Sequence, residues 1–362
     1  MDATAVAAKI DSHRDFWSRR AGTGPLIKRT RYGSLSKMEI HLADGTIAPE
    51  GTWLRPEMLD ASRLAYLERP TASTTMVIAN TQGDSVAAAE AGDTFAIVAP
   101  VQRVPWTEAI LGCPIGIGIE SMWAEPCLDA LSDVDAIRGW RKSPWLAKLL
   151  EITAALVERF PPPVMVTQSL MRGPVDMLAA ILGDERTVYA LNDSPDLCHQ
   201  LLQVCTESFI GGGHAQYDLV PRVEGGHCSW FGLWAPGTVI RTQCDASALV
   251  GPAWYEEHIL PYDIQIAEAF DYSIIHLHSG FLHTVDAILK HPLPTAIQVA
   301  IDPGGFGPPP DTQIPIFQKI LEKKPLLIEG RLTEREYDAI RDALPGEGLF
   351  INAAIAEEGS PA

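Results

Sequence analysis

His276 and His278 stand one residue apart in His276-Leu277-His278-Ser279-Gly280. In a strand, residues i and i+2 face the same side, so two imidazoles at this spacing converge. Neutral imidazole is a common zinc ligand. The other reading makes one of the two a core histidine, hydrogen-bonded to a neighbouring carboxylate. The spacing alone names no third ligand.

Other ionisable residues follow short apolar runs in the same manner. After 164–167 come Arg172-Gly173-Pro174 and then Asp176. After 297–301 comes Asp302-Pro303-Gly304-Gly305, and after 326–328 comes Glu329-Gly330-Arg331. An arginine fork beside Gly and Pro suits a carboxylate or phosphate, and Asp176 is placed to orient it. Arg172 also has a plainer reading, as half of a surface ion pair at a helix start. Arg241 precedes Asp245, which is either a proton carrier or a loop cap. Glu108 reads as a buried carboxylate at a helix start. Trp234, ahead of Ala235-Pro236-Gly237, is the tryptophan expected to line a pocket. Cys228 and Cys244 read as inert thiols, and no Ser-His-Asp signature stands out.

These residues need a scaffold that presents strand ends on one rim. Residues 3–20 pattern as an amphipathic helix, and 22–93 as irregular chain with short strands, 38–42 among them. From about residue 95, apolar runs alternate with helical stretches. Pro174 opens a helix that Gly183 closes. Ser194 and Pro195 open another, which Gly211, Gly212 and Gly213 are expected to stop. Strands are expected at 273–277, 297–301, 326–328 and 349–351. Thr333 and Glu336 form a capping box before the last of these. One strand-to-strand cycle takes roughly 25 residues, enough for a parallel crossover. The expected fold is a (β/α)8 barrel over 95–362 with an N-terminal extension over 1–94. A doubly wound sheet is the alternative, weakened by the lack of a G-x-G-x-x-G or P-loop stretch.

The chain has 362 residues, and its 28 Lys+Arg against 46 Asp+Glu give a formal charge of −18. That balance argues against nucleic-acid or anionic-membrane partners. No apolar run approaches the roughly 20 residues of a spanning helix. Arg14, Arg19 and Arg20 precede any long apolar run, unlike a signal peptide. The six cysteines contain no C-x-x-C pair. A cytoplasmic protein with free thiols is expected.

Three passages resemble the uroporphyrinogen decarboxylase superfamily, which includes the zinc-dependent methylcobamide:thiol methyltransferases. Ser169-Leu170-Met171-Arg172-Gly173-Pro174-Val175-Asp176-Met177 resembles its strand-to-helix turn. Asp245-Ala246-Ser247, leading through Gly251-Pro252 and Tyr255 to Leu260-Pro261-Tyr262, is similar to its D-x-S…P-Y stretch. His276-Leu277-His278-Ser279-Gly280 sits where the methyltransferases have His-x-Cys-Gly. The resemblance covers about half the chain and implies a (β/α)8 barrel. The decarboxylase's N-terminal arginine-rich signature has no counterpart, since Pro105-Trp106 runs on to Thr107-Glu108-Ala109. His278 replaces the first zinc-binding cysteine, and Phe350-Ile351-Asn352-Ala353-Ala354 offers no second one. A two-thiolate site is thereby excluded. His276 and His278 with a carboxylate, Glu329 or Asp302, remain as a harder donor set.

The first expectation is a methyltransferase-like enzyme holding a divalent metal, zinc, on His276, His278 and Glu329. Arg172, with Glu108, Trp234 and Arg241, would bind a small anionic substrate. Asp176, Asp245 and Asp302 would carry protons or support the ligands. Any corrinoid would come on a separate partner protein, because no D-x-H-x-x-G stretch is present. The second expectation is a metal-free decarboxylase or lyase that stabilises charge directly. The third is a non-catalytic small-molecule-binding barrel. The related enzymes are monomers and homodimers, and both states stay open.

Overall fold

A computed structural model describes residues 3–31, 39–68, 92–101, 104–119, 121–302 and 306–356. Met38, Pro303, Gly304 and Gly305 lie outside them.

Eight strands run parallel to a neighbour: β1 (Leu26–Arg31), β2 (Ile97–Val98), β3 (Met165–Val166), β4 (Val239–Gln243), β5 (Tyr272–His278), β6 (Ala296–Ile301), β7 (Leu326–Leu332) and β8 (Leu349–Ile355). Six of them form one sheet in the order β1-β8-β7-β6-β5-β4, and β2 pairs with β3. The amide of Asp93 donates to Ile27 O at 3.0 Å, so the chain entering β2 passes alongside β1. Helices Pro174–Leu182 and Pro195–Tyr217 lie between β3 and β4; Leu260–Glu268, Val285–Ile288, Ile314–Leu321 and Glu334–Ala343 precede β5 to β8 in turn. The architecture is mixed α/β around a central parallel sheet. Among the described residues no helix is long and apolar enough to cross a membrane.

Side-chain alternation sorts the sheet into two faces. Ile275, Leu277, Ile297, Val299, Leu326, Ile328, Leu349 and Ile351 pack with the helices in one apolar cluster. On the opposite face, Leu26, Val239, Ile274, Ala296, Leu327 and Phe350 form a layer of their own, with Phe16 and Trp17 of helix Ala3–Ser18 in the same cluster. Two residues further along each of those six strands, on the same face, stand Lys28, Arg241, His276, Gln298, Glu329 and Asn352. An apolar layer is thus followed, toward the strand C-termini, by a polar one.

Several sequence expectations change here. β1 falls within the stretch read as irregular and is an edge strand of the main sheet, in register with β8. β7 does not stop at Ile328. Its pairing continues through Glu329↔Asn352 to Leu332↔Ile355. The apolar pattern ended where the face turned polar, while the backbone ladder carried on. Gly211, Gly212 and Gly213 do not end their helix, which reaches Tyr217. They admit neighbours instead. A Cβ on Gly211 would lie 2.1 Å from the Trp140 ring, and one on Gly213 would lie 2.8 Å from Phe270.

Candidate functional site

β5 delivers His276 and His278 to the rim with ring centroids 4.8 Å apart and ring planes at 85°. Asp245, just past the end of β4, faces both. Its Oδ1 is 3.8 Å from His276 Nε2 and its Oδ2 is 3.7 Å from His278 Nε2. One ligand atom from each of the three residues can be chosen with all separations within 4.8 Å. Two atoms bound to one zinc at its usual 2.0–2.1 Å stand about 3.3 Å apart at the tetrahedral angle. Closing around a cation would therefore take a contraction of side chains only.

Both imidazoles are held from behind. His278 Nδ1 bonds Asp302 Oδ1 at 2.6 Å, and His276 Nδ1 bonds Gln298 Oε1. With Nδ1 carrying a proton in each ring, both Nε2 atoms point at Asp245. Metal-binding histidines are oriented in this way. Asp302 is fixed in turn by the Gly280 amide at 2.8 Å and by Ser279 Oγ. Asp245 Oδ2 accepts from Gln243 Nε2 at 2.8 Å, and Gln243 Oε1 accepts from Arg241 at 2.5 Å.

Burial and charge shape the titration of the triad. Burial, reinforced by Arg241, pushes His276 down to about 3. The Asp245 carboxylate, with Asp302 behind, lifts His278 to about 9 against its burial. Burial raises Asp245, but His278, His276 and Arg241 outweigh it and hold the carboxyl at about 2. A cation would enter by displacing the proton of His278.

The structure reassigns several expected partners. The carboxylate beside the histidines is Asp245. Glu329 stands in the same layer two strands away, its oxygens taken by Asn352 Nδ2 at 2.8 Å and Gln298 Nε2 at 3.3 Å. Asp302 supports a histidine. Arg172 is paired with the fully buried Glu108 at 3.1 Å, and that charge raises its pKa. Glu108 also accepts from Thr107 Oγ1, whose oxygen takes the Arg172 amide. Asp176 does not hold the Arg172 side chain. Its Oδ1 accepts from the Ala246 amide at 2.7 Å and so fixes the turn that carries Asp245. Burial, then the charge of Asp245, raises Asp176 to about 7. Trp234 stands away from the triad. It precedes the N-terminal end of β4, wholly buried, with its indole N–H on Val223 O and its carbonyl on Trp17. Its ring is spent on seating the first helix.

Gly173 permits this assembly. A Cβ there would lie 2.0 Å from Gln243 O, so the turn after β3 abuts the end of β4 only because the residue has none. Among the described residues, buried Arg241 Nε and Asp176 Oδ2 have no hydrogen-bond partner, leaving polar atoms for a ligand to satisfy. Sequence reasoning missed Gln243, Gln298 and Asn352. For Gln298 and Asn352 the signal was available, since each is a lone amide in an otherwise apolar strand; Gln243 follows Arg241 and Thr242 and had none.

No family model matches this chain, and no curated protein matches its sequence. Among solved structures it is similar to a methyltransferase from Methanosarcina mazei, with 14% identity and a TM-score of 0.52. The similarity covers 74% of this chain and 76% of that one. At this identity the likeness concerns the fold.

Proposed function

We propose that the chain is a cytoplasmic methyltransferase-like enzyme acting on a small anionic substrate at the strand C-termini. In this reading the six-stranded sheet and the β2–β3 pair close into a (β/α)8 barrel. Segment 1–94 supplies the first strand and packs its remainder around residues 95–362. One observation carries the reading: two imidazole Nε2 atoms and one carboxylate converge from adjacent parallel strands, each residue held by a partner behind it. The solved methyltransferase of similar fold supports the choice of chemistry.

His276, His278 and Asp245 would hold a divalent metal, zinc, as a donor set without sulfur. When bound, such an ion lowers the pKa of a thiol or water nucleophile or polarises a substrate oxygen. Arg172, braced by Glu108, and Arg241, braced by Gln243, present guanidinium groups to the anion. Asp176, raised toward neutrality, can hold a proton at Oδ2 beside the reacting groups. A corrinoid methyl donor or acceptor would arrive on a separate protein.

The elevated His278 supports a second reading. Without metal it is a cation beside Asp245, a carboxylate that Arg241 and Arg172 also act on, and is fit to stabilise the developing anion of a decarboxylation or elimination. Elemental analysis separates the two. Near-stoichiometric zinc in the purified protein, lost in His276→Ala, His278→Ala and Asp245→Asn, supports the metal enzyme. No zinc in the wild type after reconstitution overturns it in favour of the metal-free lyase.

A further inference from the structure

We infer that Gln298 is a positioning residue, and that Glu329 sets the direction of its amide so that His276 keeps its Nε2 lone pair free. Gln298, Glu329 and Asn352 lie on the consecutive strands β6, β7 and β8, and all three are buried. Asn352 Nδ2 donates to Glu329 Oε1 at 2.8 Å, and Gln298 Nε2 donates to Glu329 Oε2 at 3.3 Å. Both Glu329 oxygens accept from amides, so the Gln298 amide turns its NH2 toward Glu329. Its carbonyl oxygen then faces His276 Nδ1, to which it is bonded. A carbonyl oxygen can only accept, so the proton of a neutral His276 sits on Nδ1. The reversed amide would set oxygen against carboxylate and leave Nδ1 facing a donor.

The two histidines are therefore oriented by unlike devices. Asp302 acts directly and brings charge to His278. Gln298 is neutral, and the charge that governs it sits one strand further away. The arrangement gives His276 its orientation without placing a second carboxylate against its ring. The consequence for metal affinity rests on the reading proposed above; the tautomer itself does not.

The test uses full-length protein labelled with 15N-histidine and stripped of metal. Two-bond 1H–15N correlation spectra report which ring nitrogen carries the proton. His276, assigned by its loss in His276→Asn, is expected to show the Nδ1–H pattern. Gln298→Met removes the acceptor, and isosteric Glu329→Gln removes the directional constraint. Both should shift His276 toward the Nε2–H form, while the remaining histidine signals stay in place and certify the fold. Gln298→Glu combined with Glu329→Gln keeps an acceptor for His276 and a donor between the two positions, and should restore Nδ1–H. Zinc affinity should fall about 10–100-fold in Gln298→Met and recover in the exchanged pair. An Nε2–H pattern in the wild type, or an unchanged Nδ1–H pattern in both Gln298→Met and Glu329→Gln, overturns the inference. A tautomer that shifts with no zinc bound by any form upholds the positioning role and rejects the metal reading.

Discussion

Two layers share one face of the same six strands and differ by a step of two residues. The lower one, Leu26, Val239, Ile274, Ala296, Leu327 and Phe350, is apolar and continuous with the first helix. The upper one, Lys28, Arg241, His276, Gln298, Glu329 and Asn352, is polar, and four of its members are joined in one hydrogen-bonded line from Asn352 to His276. The lower layer needs only to exclude water, and any well-fitting hydrocarbon serves. The upper layer cannot be so tolerant. An unpaired buried polar group costs about 1–3 kcal/mol, so each member must find a partner, and each partner restricts its orientation. The requirement that stabilises the polar layer also aims the imidazoles.

The sharpest separation of the two comes from Phe350→Ala in the lower layer. Truncating a fully buried phenylalanine should cost about 3–5 kcal/mol in denaturant unfolding, with the zinc stoichiometry of the folded protein retained. If zinc is lost with it, the layers are not independent. Gly173→Ala should couple them from the other side. Displacing Gln243 should cost about 1–3 kcal/mol and weaken zinc binding through Asp245. Gly139→Ala, with nothing within 4 Å of the new Cβ, serves as the control. The smallest effect belongs to His13, which seats the helix beneath the lower layer. Its Nδ1 takes the Trp234 amide and its Nε2 meets Asp93 O. Burial pushes this imidazole from 6.5 down to about 4. The unfolded chain takes up the proton first, so its contribution is whole above pH 6.5 and is lost as pH falls toward 4. Going from neutral pH to about pH 5.5 should cost about 1 kcal/mol, a slope that His13→Gln removes. A slope equal in both proteins would show that the lower layer is sealed without His13.

Much of the scaffold was legible because its signals are local. Apolar runs marked β5 to β8, Pro174 and Gly183 marked one helix, and the Thr333–Glu336 capping box is present with both of its hydrogen bonds. β1 was missed because Leu26-Ile27-Lys28-Arg29-Thr30-Arg31 resembles a solvated segment, although Lys28 is buried. Gly211 and Gly213 were misread because Trp140 and Phe270, which need the space, come from remote parts of the chain.

The sequence by itself determined that His276 and His278 share a side, since strand geometry fixes the two-residue period. It also determined that a His-x-Cys pair with a later cysteine is absent, since His278 holds the second position and no cysteine follows Cys244 in this sequence. Only the tertiary structure decided which carboxylate faces them. Asp302 and Glu329 follow apolar runs, whereas Asp245 follows the polar Arg241-Thr242-Gln243, so nothing local singled it out. The register His276↔Gln243 carries Asp245 to the Nε2 side, while Asp302 and Glu329 arrive behind the rings. Strand register is a relation between segments far apart in the chain, set by packing over the whole sheet, and no local pattern encodes it.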